Sequence, residues 1–511
     1  MYIEPNTNIK ILHNVPLDTS YEHTIYFSNE ESQIKYFSSL TKYNLNKYTY
    51  QRVKRNMMRV EIKSELLYDC NYIMFQNASF GDKWFYAYIK SVEYVNNECS
   101  NIEFELDVMQ TWFFDYQLTE CFVEREHSET DNIGDNIVDE NVTFGELVFN
   151  DYGTLSKSFK HMVIMVAVLD KDSTILGDLY DNIFGAADLR VFRSDTEGVK
   201  ALNTFLEQYQ QKFDNILSIY MLPLQCVGQF TNGDRVTNND GIEFISMKEI
   251  STDDTLDGYK PKNNKLYTFP YNRVSLDNGC GDSITFRYEF FHNLIPTFKV
   301  LTMITQPVTI SLRPVYYKKT GDKILNTEQL TLTNFPICSW GVDSYQAYIA
   351  KTQTENINTL IKGVMNGVAQ GVSGNIVGGL ATGLGSVSDI LTKPHLLSLQ
   401  SDISKGGVGT NNINVANNMC DFYGGRLSLN SQDAKIIDDF FTKYGYASRR
   451  LKKPNTHSRP HFNYVKTIGC EIKGSIPCDD AKRICSIYDA GITFWKNGNE
   501  VGNYSLNNKP N

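Results

Sequence analysis

The chain of 511 residues is poor in proline (14) and tryptophan (4), and its 10 cysteines form no CxxC pair. The missing pairs exclude a thioredoxin-like redox motif and the common zinc ribbons. Cys470, Cys478 and Cys485 lie closest together, with a spacing that fits no familiar zinc pattern. The opening residues, MYIEPNTNIKILHNV, have neither a positive n-region nor an apolar h-region, which predicts folding in the cytoplasm with reduced, packed thiols. No GxxxxGK[ST], HExxH or GxSxG is present, so nothing supports an enzyme, a cofactor or a metal. His457 and His461 are spaced as HxxxH, but Pro460 disfavours a helix presenting both. Excess positive charge is absent too: the net charge is −10, which argues against a general nucleic-acid-binding surface. It leaves room for DNA passing through a negatively lined channel without adhering.

What is present points to β structure. The hydrophobic fraction is 41%, enough for real cores, and Tyr (31) and Phe (29) are abundant. Residues 72–76 (YIMFQ) and 83–95 (KWFYAYIKSVEYV) read as strands separated by turn residues. Ile102, Phe104, Leu106 and Val108 then alternate with Glu103, Glu105 and Asp107, a period of two that puts the acids on one face. An ordinary strand with one wet face satisfies this pattern, and so does a strand in the wall of a tube. Residues 126–157 are polar and rich in turn residues, which predicts an exposed connection; Glu124, Glu126 and His127 at its start read as surface polarity. Strand (161–169), helix (194–212, capped by Ser194 or Asp195) and strand (215–222) follow as a small α+β region. Asp277-Asn278-Gly279 predicts a hairpin within a second strand-rich stretch, 264–335. Residues 343–361 read as a helix, and so do 431–444, with Ser431 as N-cap and Ile436, Ile437, Phe440, Phe441 and Tyr444 as the buried stripe. A short helix at 480–488 and a terminal hairpin, 492–495 with 501–506, close the chain. The basic run 449–466 (RRLKKPNTHSRPHFNYVK) is either a solvated loop or a contact for an acidic partner subunit or an anionic cell-wall polymer.

Residues 363–388, GVMNGVAQGVSGNIVGGLATGLGSVS, carry no charge at all. Gly363, Gly367 and Gly371 are four apart, as are Gly374 and Gly378, and Gly379 and Gly383. Val364, Val368, Val372, Ile376, Leu380 and Leu384 recur at the same step. Such spacing lets glycine faces approach closely in apolar surroundings. In water each glycine costs a helix about 1 kcal/mol relative to alanine. Asn366, Gln370, Ser373 and Asn375 make the segment less hydrophobic than an ordinary membrane anchor. Two readings stand side by side: a flexible loop buried in an assembly, and a conditional membrane inserter released from a hidden state.

Several long strings have a familiar order. NIKILHNVPLDTSYEHTIYF (8–27), YIMFQNASFGDKWFYAYI (72–89), FELDVMQTWFFD (104–115) and FVEREH (122–127) resemble the tail knob proteins of φ29-like small podoviruses. So do NIVDENVTFG (136–145), YGYASRRLKKPN (444–455), FNYVKT (462–467) and DAGITFWKNGNEVGNYSLNN (489–508). The resemblance runs from end to end and weakens between about 150 and 260. It implies a mainly β chain with α+β insertions whose β-barrel domains assemble into a ring of six. The tube would sit at the distal end of a virion tail, assembled in the host cytoplasm beside neighbouring phage tail proteins, with viral DNA passing down its lumen. A long, glycine-rich hydrophobic loop would plug the mouth and then enter the host cytoplasmic membrane. Laid on this chain, the resemblance implies a tube domain at 1–125, an α+β insertion at 126–235, a second β-rich domain at 236–350, the loop at 351–405 and a completing α+β segment at 406–511. The membrane-active set then comprises the glycines and apolar residues of the segment above together with Ile361, Met365, Val377 and Val387. In a tube the candidate lumen acids are Glu103, Glu105 and Asp107. A loop that only plugs the lumen, a cell-wall-binding tail tip and a pore-forming toxin are the rival readings.

Overall fold

Alternating apolar residues near the start of the chain build a six-stranded antiparallel sheet. The computed structural model describes residues 6–510 apart from 49–55, 79–80, 141, 156–160, 170–186, 209–215, 237–242, 280, 305–307, 322, 324–327, 334, 336 and 340–420. The chain divides into two compact units. The first comprises Met1–Glu146, Gly258–Thr268 and Leu429–Asn511; the second comprises Leu147–Asp257 and Phe269–Ser428. The units are thus interleaved along the chain.

In the first unit the sheet runs in the order β3 (Thr41–Tyr48), β1 (Thr7–His13), β5 (Cys70–Asn77), β6 (Trp84–Asn96), β7 (Cys99–Leu106), β4 (Met57–Val60), and it curls into a half-barrel. Ile9, Ile11, Ile73, Ala87, Ile102 and Phe104 line one face with Met58 and Val60. The other face presents Leu12, Tyr72, Met74, Tyr86 and Tyr88. Two helices cover it: α1 (Glu30–Ser39) through Phe37, and α5 (Cys478–Ala490) through Ile484, Ile487 and Tyr488. Asn29 starts α1 by accepting a hydrogen bond from the Ser32 amide at 2.8 Å. A second sheet, β2 (His23–Ile25), β26 (Ile492–Trp495), β24 (Phe462–Ile468), β9 (Cys121–Glu126), β23 (Tyr446–Lys452), joins the two ends of the chain. Here β26 pairs with β2 in parallel and with β24 antiparallel. No strand forms at 501–506, so the expected terminal hairpin is replaced by long-range pairing; a 3-10 turn, Gly498–Glu500, takes its place. The hydrogen bonds that a hairpin partner would supply to β26 come from β2 and β24 instead.

Among the described residues the second unit holds three sheets of its own, one of them antiparallel in the order β14 (Asp234–Arg235), β12 (Ala187–Arg193), β11 (Met162–Leu169), β13 (Ile216–Pro223), β21 (Ile337–Ser339). Helix α3 (Thr196–Glu207) packs Val199, Leu202 and Leu206 on this sheet, and Asp195 is its N-cap through the Gly198 amide at 2.7 Å. The hairpin at Asp277-Asn278-Gly279 forms between β16 (Asn272–Asp277) and β17 (Ser283–Phe286), with Gly279 at φ +64°. The expected helix at 343–361 lies outside the described residues.

The connection after β9 is largely exposed, as its polarity predicts, yet several of its polar residues turn inward. Glu126, His127 and Asp131 are all buried. Glu126 accepts from Lys452 Nζ at 2.5 Å and the Asn455 amide at 3.0 Å. Asp131 accepts from the Tyr446 hydroxyl at 2.5 Å and the Asn264 amide at 3.3 Å. Glu140 holds Lys265 at 2.6 Å and also pairs with Arg125. Helix α4 (Ser431–Tyr444) has the expected bounds, but Asn430 caps it and its buried face is Ala434, Ile437, Asp438, Phe441 and Thr442. Ile436 is left 68% exposed, because Asp438 takes the inward position. Asp438 accepts four hydrogen bonds from the returning segment: Tyr259 Oη at 2.8 Å, the Lys262 amide at 2.7 Å, and the Asn263 amide at 3.0 Å and Nδ2 at 2.7 Å. Gly445 ends the helix at φ +64°, where a side chain would also collide with the Glu126 carbonyl.

Removing the Asp438 carboxylate strands those donors in the interior. Asp438→Ala is expected to cost about 3 kcal/mol in denaturant unfolding, against under about 0.5 kcal/mol for Ile436→Ala. The reverse ranking would restore the stripe read from the sequence. His127 adds a pH signature. Its Nδ1 accepts from the Tyr464 amide at 2.7 Å, so its Nε2 donates to the Thr442 carbonyl at 3.1 Å. Burial, helped by the Arg459 charge, pushes its pKa down to about 3. The unfolded chain therefore binds the extra proton below pH 6.5, and stability present above that value drains away as pH falls towards 3. Wild type should lose about 2 kcal/mol more than His127→Gln between pH 7 and pH 5. Parallel pH profiles would mean that His127 carries a proton in the fold.

Candidate functional site: the acidic strand and the glycine-rich segment

Strand β7 places its residues as its period demands: Ile102 and Phe104 are inside, while Glu103 and Glu105 lie on the opposite face, each half-buried. Its register with β6 sets Ser91 opposite Glu103 and Tyr88 opposite Glu105. Ser91 Oγ donates to Glu103 at 3.1 Å. Next along the same face, Asn101 accepts from Arg59 Nε at 3.0 Å. Glu105 has two cationic neighbours, Lys90 at 3.0 Å and Arg483 of α5. Partial burial works against its ionisation, but the bonds from Arg483 and Lys90 outweigh that and hold its carboxyl below the usual range. Glu105 is thus locally neutralised, whereas Glu103 accepts from the uncharged Ser91 hydroxyl.

Asp107 departs from the set. The alternation ends where the strand ends, because the chain turns into the short helix α2 (Val108–Thr111) and Asp107 becomes its N-cap. Its carboxylate accepts from the Met109 and Gln110 amides at 3.0 and 3.1 Å and from the Tyr72 hydroxyl at 2.8 Å. It is 0% exposed, and burial pushes its pKa up against those hydrogen bonds. A side chain sealed within one chain cannot face a lumen, so Asp107 is a structural cap. The sequence did hold a signal: an aspartate before a helix start is an N-cap as readily as a strand residue.

The glycine-rich segment, with every member of the membrane-active set from Ile361 to Val387, lies outside the described residues. Among the described residues no helix is long and apolar enough to cross a membrane. None of their side-chain clusters could hold a metal ion either. The two histidines spaced as HxxxH go separate ways: His457 stacks on Tyr26 with ring centroids 4.9 Å apart, and His461 Nδ1 meets Glu500 at 2.9 Å.

The half-barrel has two edges. Among the described residues β3 and β4 each have one neighbour, so each leaves a row of backbone donors and acceptors unpaired. On β3 the outward alternation is polar, with Lys42, Asn44 and Asn46 exposed between the half-buried Tyr43 and Leu45. Such a surface is compatible with water and still able to accept a strand.

Comparison with known proteins adds to this geometry. Residues 236–509, more than half of the chain, match the family model described as the C-terminal domain of the Bacillus phage phi29 tail knob protein gp9. Residues 5–117, which span the half-barrel, match the N-terminal model of caudoviral major tail proteins. The chain is 27% identical to the tail knob protein gp9 of Bacillus phage PZA and 26% identical to that of Bacillus phage phi29, each over 98% of both chains. The structure of the bacteriophage C1 tail knob protein gp12 superposes with a TM-score of 0.65 at 14% identity, covering 98% of this chain and 99% of that one. This last likeness concerns the fold.

The two β7 acids and the cap are separable by mutation. Asp107→Ala leaves two buried amides and the Tyr72 hydroxyl without their acceptor and is expected to cost about 2–4 kcal/mol. Glu103→Gln should stay within about 0.5 kcal/mol. Equal and small losses in thermal unfolding would return Asp107 to the surface.

Proposed function

The chain belongs to the family of the phage phi29 tail knob protein gp9, and from that membership we propose that six copies join into a distal tail tube through which the genome is ejected. It is a structural protein of the virion tail. The observation that carries the tube reading is the half-barrel with its two open edges, in the part of the chain that matches major tail proteins. A half-barrel has no closed solution within one copy. Pairing β3 of one copy with β4 of the next is a head-to-tail interface, which closes into a ring when the rotation per copy divides the circle. Glu103 is half-buried on the face that also carries Tyr88, which α1 and α5 cover in part; where that face turns to the lumen of the ring, repeated carboxylates keep DNA moving by repelling its phosphates. Glu105 contributes less, because Lys90 and Arg483 offset it.

The uncharged segment 363–388 stops the distal mouth of the tube and, once released, enters the host cytoplasmic membrane. Its composition supports this reading: it is apolar enough to leave water, and its glycines at four-residue steps allow close packing of copies. In the sequence it stands between the strand-rich and C-terminal blocks.

Electron microscopy of the purified chain should reveal six-fold rings with a central channel; monomers at every concentration would contradict the tube. The rings should release dye from anionic liposomes, at neutral or acid pH. Deletion of residues 363–388 should leave the rings intact and abolish leakage. Equal leakage from the deletion variant would leave the segment as a plug only.

A further inference from the structure

Within the first unit, a cavity of about 350 Å³ opens where the returning segment, the last turn of α4, the turn before β24 and residues 505–509 converge. Its size falls in the range of small-ligand sites. The charges on its walls are of one sign: Lys260, Lys262, Arg459 and Lys509 line it, and no carboxylate does. Such a concentration of cations is notable in a chain of net charge −10. His127 also lines it but is neutral, with both ring nitrogens committed to backbone groups.

Arg459 decides what the cavity can take. It is 2% exposed, and its Nε and Nη1 donate to the Ser128 carbonyl at 2.7 Å and the Asn508 carbonyl at 3.1 Å. Its Nη2 is buried and, with the Tyr446 hydroxyl nearby, makes no hydrogen bond of normal geometry. A buried donor left unsatisfied is costly, and more so on a charged group. The carboxylate that most offsets the guanidinium is Asp131, whose oxygens are already engaged by Tyr446 and Asn264. A guanidinium fixed at two nitrogens, with a third short of a normal bond and lysines around it, matches an oxyanion that accepts several bonds at once.

We propose that this cavity binds a phosphate-type oxyanion, either free phosphate or the phosphodiester of a polyol-phosphate chain. The anion's oxygens meet Arg459 Nη2 in the interior, and Lys260 and Lys509 draw it in from the rim. The basic run 449–466 thereby has a specific member, Arg459, turned inward rather than a generally solvated surface. The inference stands independently of the tube reading, because every lining residue belongs to one unit of a single chain.

Isothermal titration of the full chain with inorganic phosphate and, separately, with short poly(glycerol phosphate) tests it. Saturable 1:1 binding of at least one probe is expected, weakening as NaCl is raised. The double variant Lys260→Gln, Lys509→Gln, whose positions are exposed, should fold normally and bind at least 10-fold more weakly. Arg459→Gln should abolish binding, with thermal unfolding recorded alongside to verify its fold. Tighter binding of the polymer assigns the site to the chain phosphodiester, and equal binding per phosphate assigns it to the free ion. No saturable binding of either probe, or binding unchanged in the lysine variant, would overturn the proposal.

Discussion

The first unit depends on burying carboxylates that have no purpose on its surface. Gly258–Thr268 belongs to it although the chain on either side belongs to the other unit. That short segment has no strand ladder to hold it. Side-chain acids do the work: Asp438 takes its amides and Tyr259, Asp131 takes the Asn264 amide, and Glu140 takes Lys265. Each of these acids costs desolvation, so each is stable only when fully paired. Their partners come from three distant stretches of chain. The unit therefore closes only once all three are present, which couples the ends of the sequence to its middle.

The same closure builds the frame for the half-barrel. Helix α5, from the C-terminal stretch, seals the face of a sheet made wholly from the N-terminal one, and Arg483 on that helix reaches Glu105 on β7. With one face sealed and the other lined by the sheet's own apolar residues, the remaining unsatisfied feature is its pair of edges. Natural sheets rarely leave long edges open without a partner. In a family of tail knobs, a neighbouring copy is the partner proposed for this one.

Much of this was legible in the sequence where one local signal decides. The β7 alternation as far as Glu105, the Asp195 cap of α3, the bounds of α4 and the hairpin at Asp277-Asn278-Gly279 follow from period and turn chemistry that tertiary structure did not override. The errors share a cause. Polarity at 126–140 was read as exposure, yet Glu126, Asp131 and Glu140 are polar because they bind donors in the interior. Ile436 reads as core, whereas the four bonds to Asp438 turn that residue inward and Ile436 is left exposed. The terminal strand was paired with its nearest neighbour, while β26 reaches β2 at the other end of the chain. Partners hundreds of residues away leave no mark in a local window. The cationic cavity belongs to the same class, since its walls come from five separated stretches.

The central claim is that the open edges of the half-barrel pair between copies. Hydrogen exchange on the assembled particle and on the isolated chain tests it most directly. The backbone amides of Thr41–Tyr48 and Met57–Val60 that point away from β1 and β7 should exchange freely in isolation and gain strong protection on assembly. Assembled rings in which both strands still exchange as fast as in the isolated chain would contradict the account.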